Sequence, residues 1–150
     1  MPRDGKYHKG RFNPRHPEKY KGDVGNIVYR SSWELEFMKY CDRTNAITEW
    51  GSEEFSIPYV SPLDNRIHKY FPDFIIKLKE NTGRIKTYVI EVKPKKQTRP
   101  PKTPKRQTKS YIYETTEYAK NMAKWKAAKE FCDDRRIEFK IITEDELGIK

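Results

Sequence analysis

Three charged residues at the ends of two apolar runs carry the clearest chemical signal in the sequence. Asp73 precedes the run FIIKLK, and Glu91 and Lys93 end the run IKTYVIEVK. The intervening NTG at residues 81–83 is typical of a β-hairpin turn. A hairpin folded about the middle of this turn places Asp73 opposite Glu91, with their Cβ atoms about 5 Å apart. Because strand side chains alternate between faces, Lys93 lies on the same face as Glu91.

Two carboxylates that face each other need a positive partner, because like charges at this distance raise each other's pKa. Magnesium suits this role, since it binds through one or two carboxylates and takes its other ligands from water and substrate phosphate. Such an ion polarises a phosphoryl oxygen, and a neighbouring lysine stabilises charge on phosphorus. The alternative is an ordinary exposed Glu–Lys pair, worth about 0–1 kcal/mol. The preceding Pro72-Asp73 at hairpin spacing favours the magnesium site.

The motif resembles that of the PD-(D/E)xK nuclease superfamily, with PD at residues 72–73 and EVK at residues 91–93. The upstream SSWELE at residues 31–36 is similar to the helix-borne glutamate motif of the transposon-end nuclease branch. The length, the basic segments and the order of elements resemble the small head-completion nucleases of T-even-type bacteriophages. The resemblance spans residues 28–143 and implies a metal-dependent DNA nuclease. The residues implied at its centre are Glu34, Asp73, Glu91 and Lys93.

The resemblance also implies how these residues work. Asp73 and Glu91 are implied to bind magnesium, for which manganese is an expected substitute, and the backbone carbonyl of Val92 is an additional ligand. Glu34 is implied as a further metal ligand or as the base that positions water. Lys93 is implied to orient water and stabilise charge. The implied reaction is hydrolysis of DNA phosphodiester bonds without a nucleotide cofactor.

The implied setting is the processing of packaged double-stranded DNA during phage head completion and head–tail joining. Phage head or neck proteins are the implied partners, and the cytoplasm of the infected bacterial host, together with the virion, is the implied location. A protein of a different class stays open as the alternative. It is a non-catalytic DNA-binding or structural head or neck protein on a nuclease-derived fold. The four intact motif residues favour the nuclease.

Glu34 has a structural interpretation beside the catalytic one. Ser31 and Glu34 fit the capping box S-x-x-E, in which Ser31 caps a helix and Glu34 reaches back to the Ser31 amide. The catalytic interpretation sends the same carboxylate to the hairpin face, from a helix predicted over residues 31–42. Both interpretations stay open at this stage.

Composition indicates the class of partner. The chain of 150 residues has 32 Lys and Arg against 22 Asp and Glu, a net charge of +10, which favours a polyanion such as nucleic acid. No apolar run approaches the length that spans a bilayer, and a membrane partner is not expected. The histidines lack partners at zinc spacing. Cys41 and Cys132 are predicted to be buried free thiols in a reducing compartment.

Residues 1–30 are polar and basic, with interleaved aromatic residues, and are predicted to be an extended N-terminal arm. The arm either folds on DNA or packs over the domain through its aromatic side chains. Its candidate DNA contacts are Arg11 and Arg15.

Residues 94–109 are predicted to be a basic, proline-rich loop that begins beside the proposed catalytic lysine. Four prolines favour an extended path, and the run contains no acid. A solvated linker is the alternative to a loop that tracks phosphates. The candidate DNA contacts are Lys95, Lys96, Arg99, Lys102, Lys105, Arg106 and Lys109.

The remaining pattern predicts an α+β nuclease domain over residues 31–150. Its expected restriction-endonuclease-like core is a mixed, mainly antiparallel sheet flanked by helices. Apolar residues spaced three and four apart predict a long helix over residues 114–136. The other predicted elements are strands over residues 47–50, 55–60 and 138–143 and a turn over residues 144–147.

Overall fold

The computed structural model describes residues 9–148, so the first eight residues of the predicted N-terminal arm lie outside the described residues. The strands are β1 (Gly10–Arg11), β2 (Val28–Tyr29), β3 (Ile47–Ser52), β4 (Ile57–Val60), β5 (Ile67–Tyr70), β6 (Phe74–Lys79), β7 (Ile85–Val92) and β8 (Glu138–Ile142). The helices are α1 (Ser32–Arg43), α2 (Lys109–Asp134) and α3 (Glu144–Leu147).

The central sheet has the strand order β3-β6-β7-β8. Its first two pairings are antiparallel, and β7 and β8 are parallel. Helices α1 and α2 cover opposite faces of this sheet. Two consecutive residues of β8 show this, because neighbouring side chains of a strand point to opposite faces. Ile142 packs in the core beside α1, whereas Ile141 packs in the core beneath α2. The predicted α+β class, a mixed and mainly antiparallel sheet flanked by helices, is confirmed.

Helix α1 positions one wall of the site and is held at both ends. At its start, the Ser31 hydroxyl oxygen accepts from the amide of Glu34 at 3.1 Å. Its buried stripe packs on the sheet, with the rings of Phe37 and Phe74 4.8 Å apart. At its end, the Lys19 ammonium donates to three carbonyl oxygens at residues 41, 42 and 44, which otherwise lack helical partners.

The segment over residues 9–30 packs against the domain, which was one of the two alternatives for the predicted arm. Phe12, Tyr20 and Ile27 are buried in the same core as Trp50 of β3. The rings of Tyr20 and Trp50 meet edge to face, with centroids 4.7 Å apart. A contact of this kind is worth about 0.5–1.5 kcal/mol beyond the area it buries. The segment therefore stabilises α1 and β3 through aromatic packing.

The structure differs locally from the predictions in three places, each for an identifiable reason. Strand β5 was not predicted, because its residues are exposed except Tyr70 and show no apolar alternation. Helix α2 begins at Lys109 rather than at residue 114, because the Thr108 hydroxyl caps it by accepting from the Tyr111 amide at 3.0 Å. Lys95–Thr98 forms a 3-10 turn within the loop predicted to be extended. None of the four prolines lies inside this turn.

Both cysteines are buried free thiols, as predicted. The strand β8 and the short α3 lie where the last strand and the terminal turn were predicted. No helix within residues 9–148 is long and apolar enough to cross a membrane.

Candidate active site

The motif hairpin folds in the predicted register. Phe74 pairs with Ile90 across the antiparallel strands, so the next position outward sets Asp73 opposite Glu91. The turn is closed by Gly83, whose φ of 88° is a conformation that glycine adopts without strain. A carboxylate oxygen of Asp73 accepts from the Val92 amide at 2.8 Å. This bond fixes the first acid against the end of the neighbouring strand.

Asp73 lies at the centre of a group of charged side chains. Burial raises the pKa of its carboxyl well above the ordinary value, and the neighbouring Glu91 and Glu34 carboxylates raise this pKa further. The Val92 amide and the Lys93 ammonium act in the opposite direction on the same pKa. The structure therefore brings together all four residues that the motif predicted.

Glu34 combines half of the predicted capping box with a place beside Asp73. The Ser31 hydroxyl accepts from the Glu34 amide, as a cap requires. The Glu34 carboxylate, however, accepts from the amide of Arg30 at 3.0 Å rather than from that of Ser31. The side chain is only 3% exposed, and burial raises the pKa of its carboxyl. The cap and the approach to Asp73 are thus compatible in one conformation.

Glu91 is held by a residue that sequence reasoning missed. Its carboxylate is 5% exposed and accepts from the Tyr70 hydroxyl at 2.7 Å. Its other oxygen lies 3.9 Å from the Lys93 ammonium. Tyr70 belongs to the unpredicted β5, and burial raises the pKa of its hydroxyl far above the ordinary value. Tyr70 therefore acts as a neutral donor that fixes one rotamer of Glu91.

Lys124 of α2 is a second lysine in the neighbourhood of Glu91. Its ammonium lies 5.8 Å from the ring centre of Tyr70 and 5.9 Å from that of Tyr59. Burial lowers the pKa of Lys124, and the nearby Glu91 carboxylate partly offsets that effect. No local spacing in the sequence could reveal this residue, because α2 meets the hairpin only in the folded chain.

An ion pair between Arg30 and Glu53 borders the site on its other side. Glu53 has a φ of 54° and donates its amide to the Asp73 carbonyl at 3.1 Å. A left-handed backbone at a non-glycine residue costs of order 1–3 kcal/mol and is found most often at functional sites. Arg30 therefore brings positive charge toward Glu34, and Glu53 ties β3 to the start of the motif.

The donor chemistry at the hairpin fits a hard divalent cation. Asp73 and Glu91 offer carboxylate oxygens, and their mutual repulsion is relieved by positive charge between them. Within residues 9–148, no group of three or more His, Cys, Asp or Glu side chains is arranged to hold a metal ion. Magnesium sites in proteins use one or two carboxylates and retain several waters, so the hairpin pair suffices.

The predicted DNA contacts are spread over several surfaces. Lys96 and Arg99 share a cleft with Lys93, whereas Lys95 forms an ion pair with Asp145 at 3.0 Å. The exposed positions farther along the segment are Lys102, Lys105, Arg106 and Lys109, the last at the start of α2.

Arg11 and Arg15, the predicted contacts of the N-terminal segment, are not brought to this cleft. Arg11 lies on β1, where it pairs with Val28. The amide of Arg15 donates to Asp42 at 2.8 Å. Asp42 and Glu34 lie at opposite ends of α1, about 12 Å apart along the helix axis.

Comparison with known proteins agrees with the site. The family described as TnsA-like endonuclease N terminal matches residues 44–144, which include the complete hairpin motif. The head completion nuclease of Enterobacteria phage T4 is 38% identical over an alignment of 144 positions that covers 93% of each chain. Both matches confirm the resemblance to the transposon-end and phage nucleases. This chain belongs to the TnsA-like endonuclease family.

Proposed function

We propose that this protein is a DNA nuclease that acts in phage head completion and hydrolyses phosphodiester bonds with magnesium. The observation that carries the proposal is the cluster of the Asp73, Glu91 and Glu34 carboxylates beside Lys93. The name of the 38% identical relative supports both the nuclease activity and the biological role. Manganese is the expected substitute for magnesium.

Each residue of the cluster has a proposed role. Asp73, Glu91 and the Val92 backbone carbonyl would hold the ion, which supplies Lewis-acid polarisation of the scissile phosphoryl group. Lys93 orients the attacking water and donates to the oxygens on which charge develops. Glu34, as a buried carboxylate with a raised pKa, is suited to take a proton from that water or to bind metal directly. Tyr70 keeps Glu91 in place through its hydroxyl.

The proposed substrate is double-stranded DNA, and the proposed setting is the infected bacterial host. The net charge of +10 and the basic segment that follows Lys93 support a polyanionic substrate. By the same proposal, the nuclease processes packaged DNA before the tail joins the head, and it meets head or neck proteins there.

The competing function is a structural or DNA-binding protein without catalysis. Plasmid and linear DNA incubated with protein and magnesium separate the two functions. We expect cleavage that a chelator stops, and none from a Lys93→Ala variant that folds normally. If the parental protein leaves both circular and linear DNA intact with magnesium and with manganese, the structural function replaces the nuclease.

The basic segment is expected to set the affinity for DNA without setting sequence preference. Replacing the exposed lysines in it with glutamine should weaken binding to all duplex sequences about equally. A plot of the logarithm of the DNA association constant against the logarithm of the salt concentration should have a shallower slope. The slope should change by about 0.9 for every phosphate that the protein no longer neutralises. The measurement is fluorescence anisotropy over a salt series. The positions to replace are Lys96, Lys102 and Lys105.

A matched control removes the same charge from the opposite end of the hairpin. Lys79 lies six residues from Asp73, about 20 Å along the strand. Glutamine at the three control positions should leave the salt slope unchanged. An equal slope for the two triple variants would show that the basic segment is a solvated linker. The control positions are Lys77, Lys79 and Lys86.

A further inference from the structure

A cleft with a volume of 370 Å³ opens beside Lys93, between the 3-10 turn Lys95–Thr98 and the first half of α2. Pockets that bind small molecules have volumes of about 300–1,000 Å³, so the cleft can admit a group of nucleotide size. A paired duplex is far too wide to enter it. Because Lys93 belongs both to the cleft and to the proposed active site, an occupant would lie next to the reacting phosphate.

The two walls of the cleft differ in chemistry. One wall carries the cationic side chains of Lys93, Lys96 and Arg99, which suit a phosphate group. The opposite wall, from α2, carries Tyr113 together with the acidic Glu114 and Glu117. A carboxylate repels phosphate but accepts hydrogen bonds from the exocyclic amino groups of bases. The wall chemistry therefore orients a nucleotide with its phosphate toward the turn and its base toward α2.

Asn121 adds a polar side chain to the α2 wall of the cleft. This residue is only 6% exposed and lines the cleft from α2. An amide side chain can donate and accept together, as base edges require.

Tyr113 supplies the apolar part of the same wall. Its side chain lines the cleft and is 66% exposed, so its ring is accessible to a ligand. Aromatic rings that are presented in this way, beside cationic groups, are the usual platforms on which unpaired bases stack. A base within a duplex already stacks on its neighbours and cannot use such a platform.

We infer that the cleft binds one unpaired nucleotide adjacent to the scissile phosphate. The nuclease then prefers DNA in which a nucleotide is unpaired at the cutting point, as at a strand end, over continuous duplex. The inference rests on the proposed nuclease function, because it extends the substrate path from Lys93 into the cleft. A free mononucleotide shares the relevant chemistry, so its binding has to be compared with that of DNA.

The test measures binding with calcium in place of magnesium, since the looser geometry of calcium supports binding without efficient cleavage. Anisotropy compares one blunt duplex with the same duplex carrying a single-nucleotide 5′ or 3′ overhang. We expect the parental protein to bind one of the overhang duplexes roughly tenfold more tightly than the blunt duplex. Tyr113→Leu should remove this preference, and Tyr113→Phe, which keeps the ring, should retain it.

The matched control is Tyr40→Leu, a change at a 46% exposed tyrosine of α1, which should retain the preference. The inference is overturned if the parental protein binds blunt and overhang duplexes equally, or if Tyr113→Leu keeps the preference. It is also overturned if free deoxyadenosine monophosphate binds as tightly as the overhang duplex, because the cleft would then be a nucleotide site. Magnesium-dependent cleavage without any overhang preference overturns this inference alone. A preference without cleavage overturns the nuclease function alone.

Discussion

Asp73→Asn is expected to abolish DNA cleavage and, in the same molecule, to stabilise the protein when no metal is bound. An asparagine still accepts the hydrogen bond from the Val92 amide, so the hairpin is retained. It carries no charge and is a poor magnesium ligand, so cleavage should fall by about three orders of magnitude or more. Repulsion from Glu91 and Glu34 disappears with the charge, and the melting temperature should rise.

The sign of the stability effect follows from the pKa of Asp73. Its folded-state pKa is raised by burial and by Glu91, above an unfolded value of about 3.9. The folded protein therefore binds this proton more tightly than the unfolded chain, and stability is lost as the pH rises through the folded pKa. The difference in melting temperature between variant and parent should be small near pH 4 and larger at pH 8. Each 1 kcal/mol gained in the free energy of unfolding should raise the melting temperature by about 2–4 °C.

Thermal melts in chelator at the two pH values, run beside digestion assays, measure both halves of the prediction. Asp133→Asn is the control, because Asp133 is an exposed carboxylate at the far end of α2 that pairs with Lys129. Added magnesium should raise the melting temperature of the parent and of this control, but not that of Asp73→Asn. A variant that melts below the parent at pH 8 would contradict the electrostatic account. A variant with parental cleavage would remove Asp73 from the site.

The hairpin could be predicted from sequence because its information is local. A glycine-containing turn and two apolar runs fix the register, and the register places Asp73 opposite Glu91. The same kind of local signal, the cap at Ser31, predicts the start of α1. The hairpin and α1 could therefore be predicted from short stretches of sequence, together with the acidic residues that these elements carry.

The residues that complete the site could not be predicted, because they act over long sequence separations. Tyr70 reaches Glu91 from a strand that carries no apolar alternation. Lys124 acts on the same acid only electrostatically, from the middle of α2. Arg30 was counted among the basic residues of the arm, and its amide contact with Glu34 depends on how that segment packs. The packing is decided by Tyr20 and Trp50, whose contact no local spacing encodes.

Glu34→Gln is expected to separate chemistry from helix capping. The glutamine side-chain oxygen can still accept from the Arg30 amide, so the start of α1 should be retained. The variant should melt within a few degrees of the parent, or slightly above it at neutral pH, because burial raises the pKa of the glutamate that it replaces. Cleavage should fall by about 10²–10⁴-fold, the range that a positioned general base contributes. Melting curves and single-turnover cleavage rates at equal DNA occupancy measure the two effects.

Ser31→Ala is the matched control, because it removes only the hydroxyl that accepts from the Glu34 amide. Loss of such a cap costs about 1 kcal/mol, or about 2–4 °C in a domain of this size, and should leave cleavage nearly parental. The two variants thus affect different measurements. Glu34→Gln lowers the cleavage rate at nearly constant stability, whereas Ser31→Ala lowers the stability at a nearly constant cleavage rate. Parental cleavage by Glu34→Gln would leave Glu34 as a cap alone. The proton would then have to leave the attacking water by another route, and the catalytic group would reduce to Asp73, Glu91 and Lys93 on the hairpin.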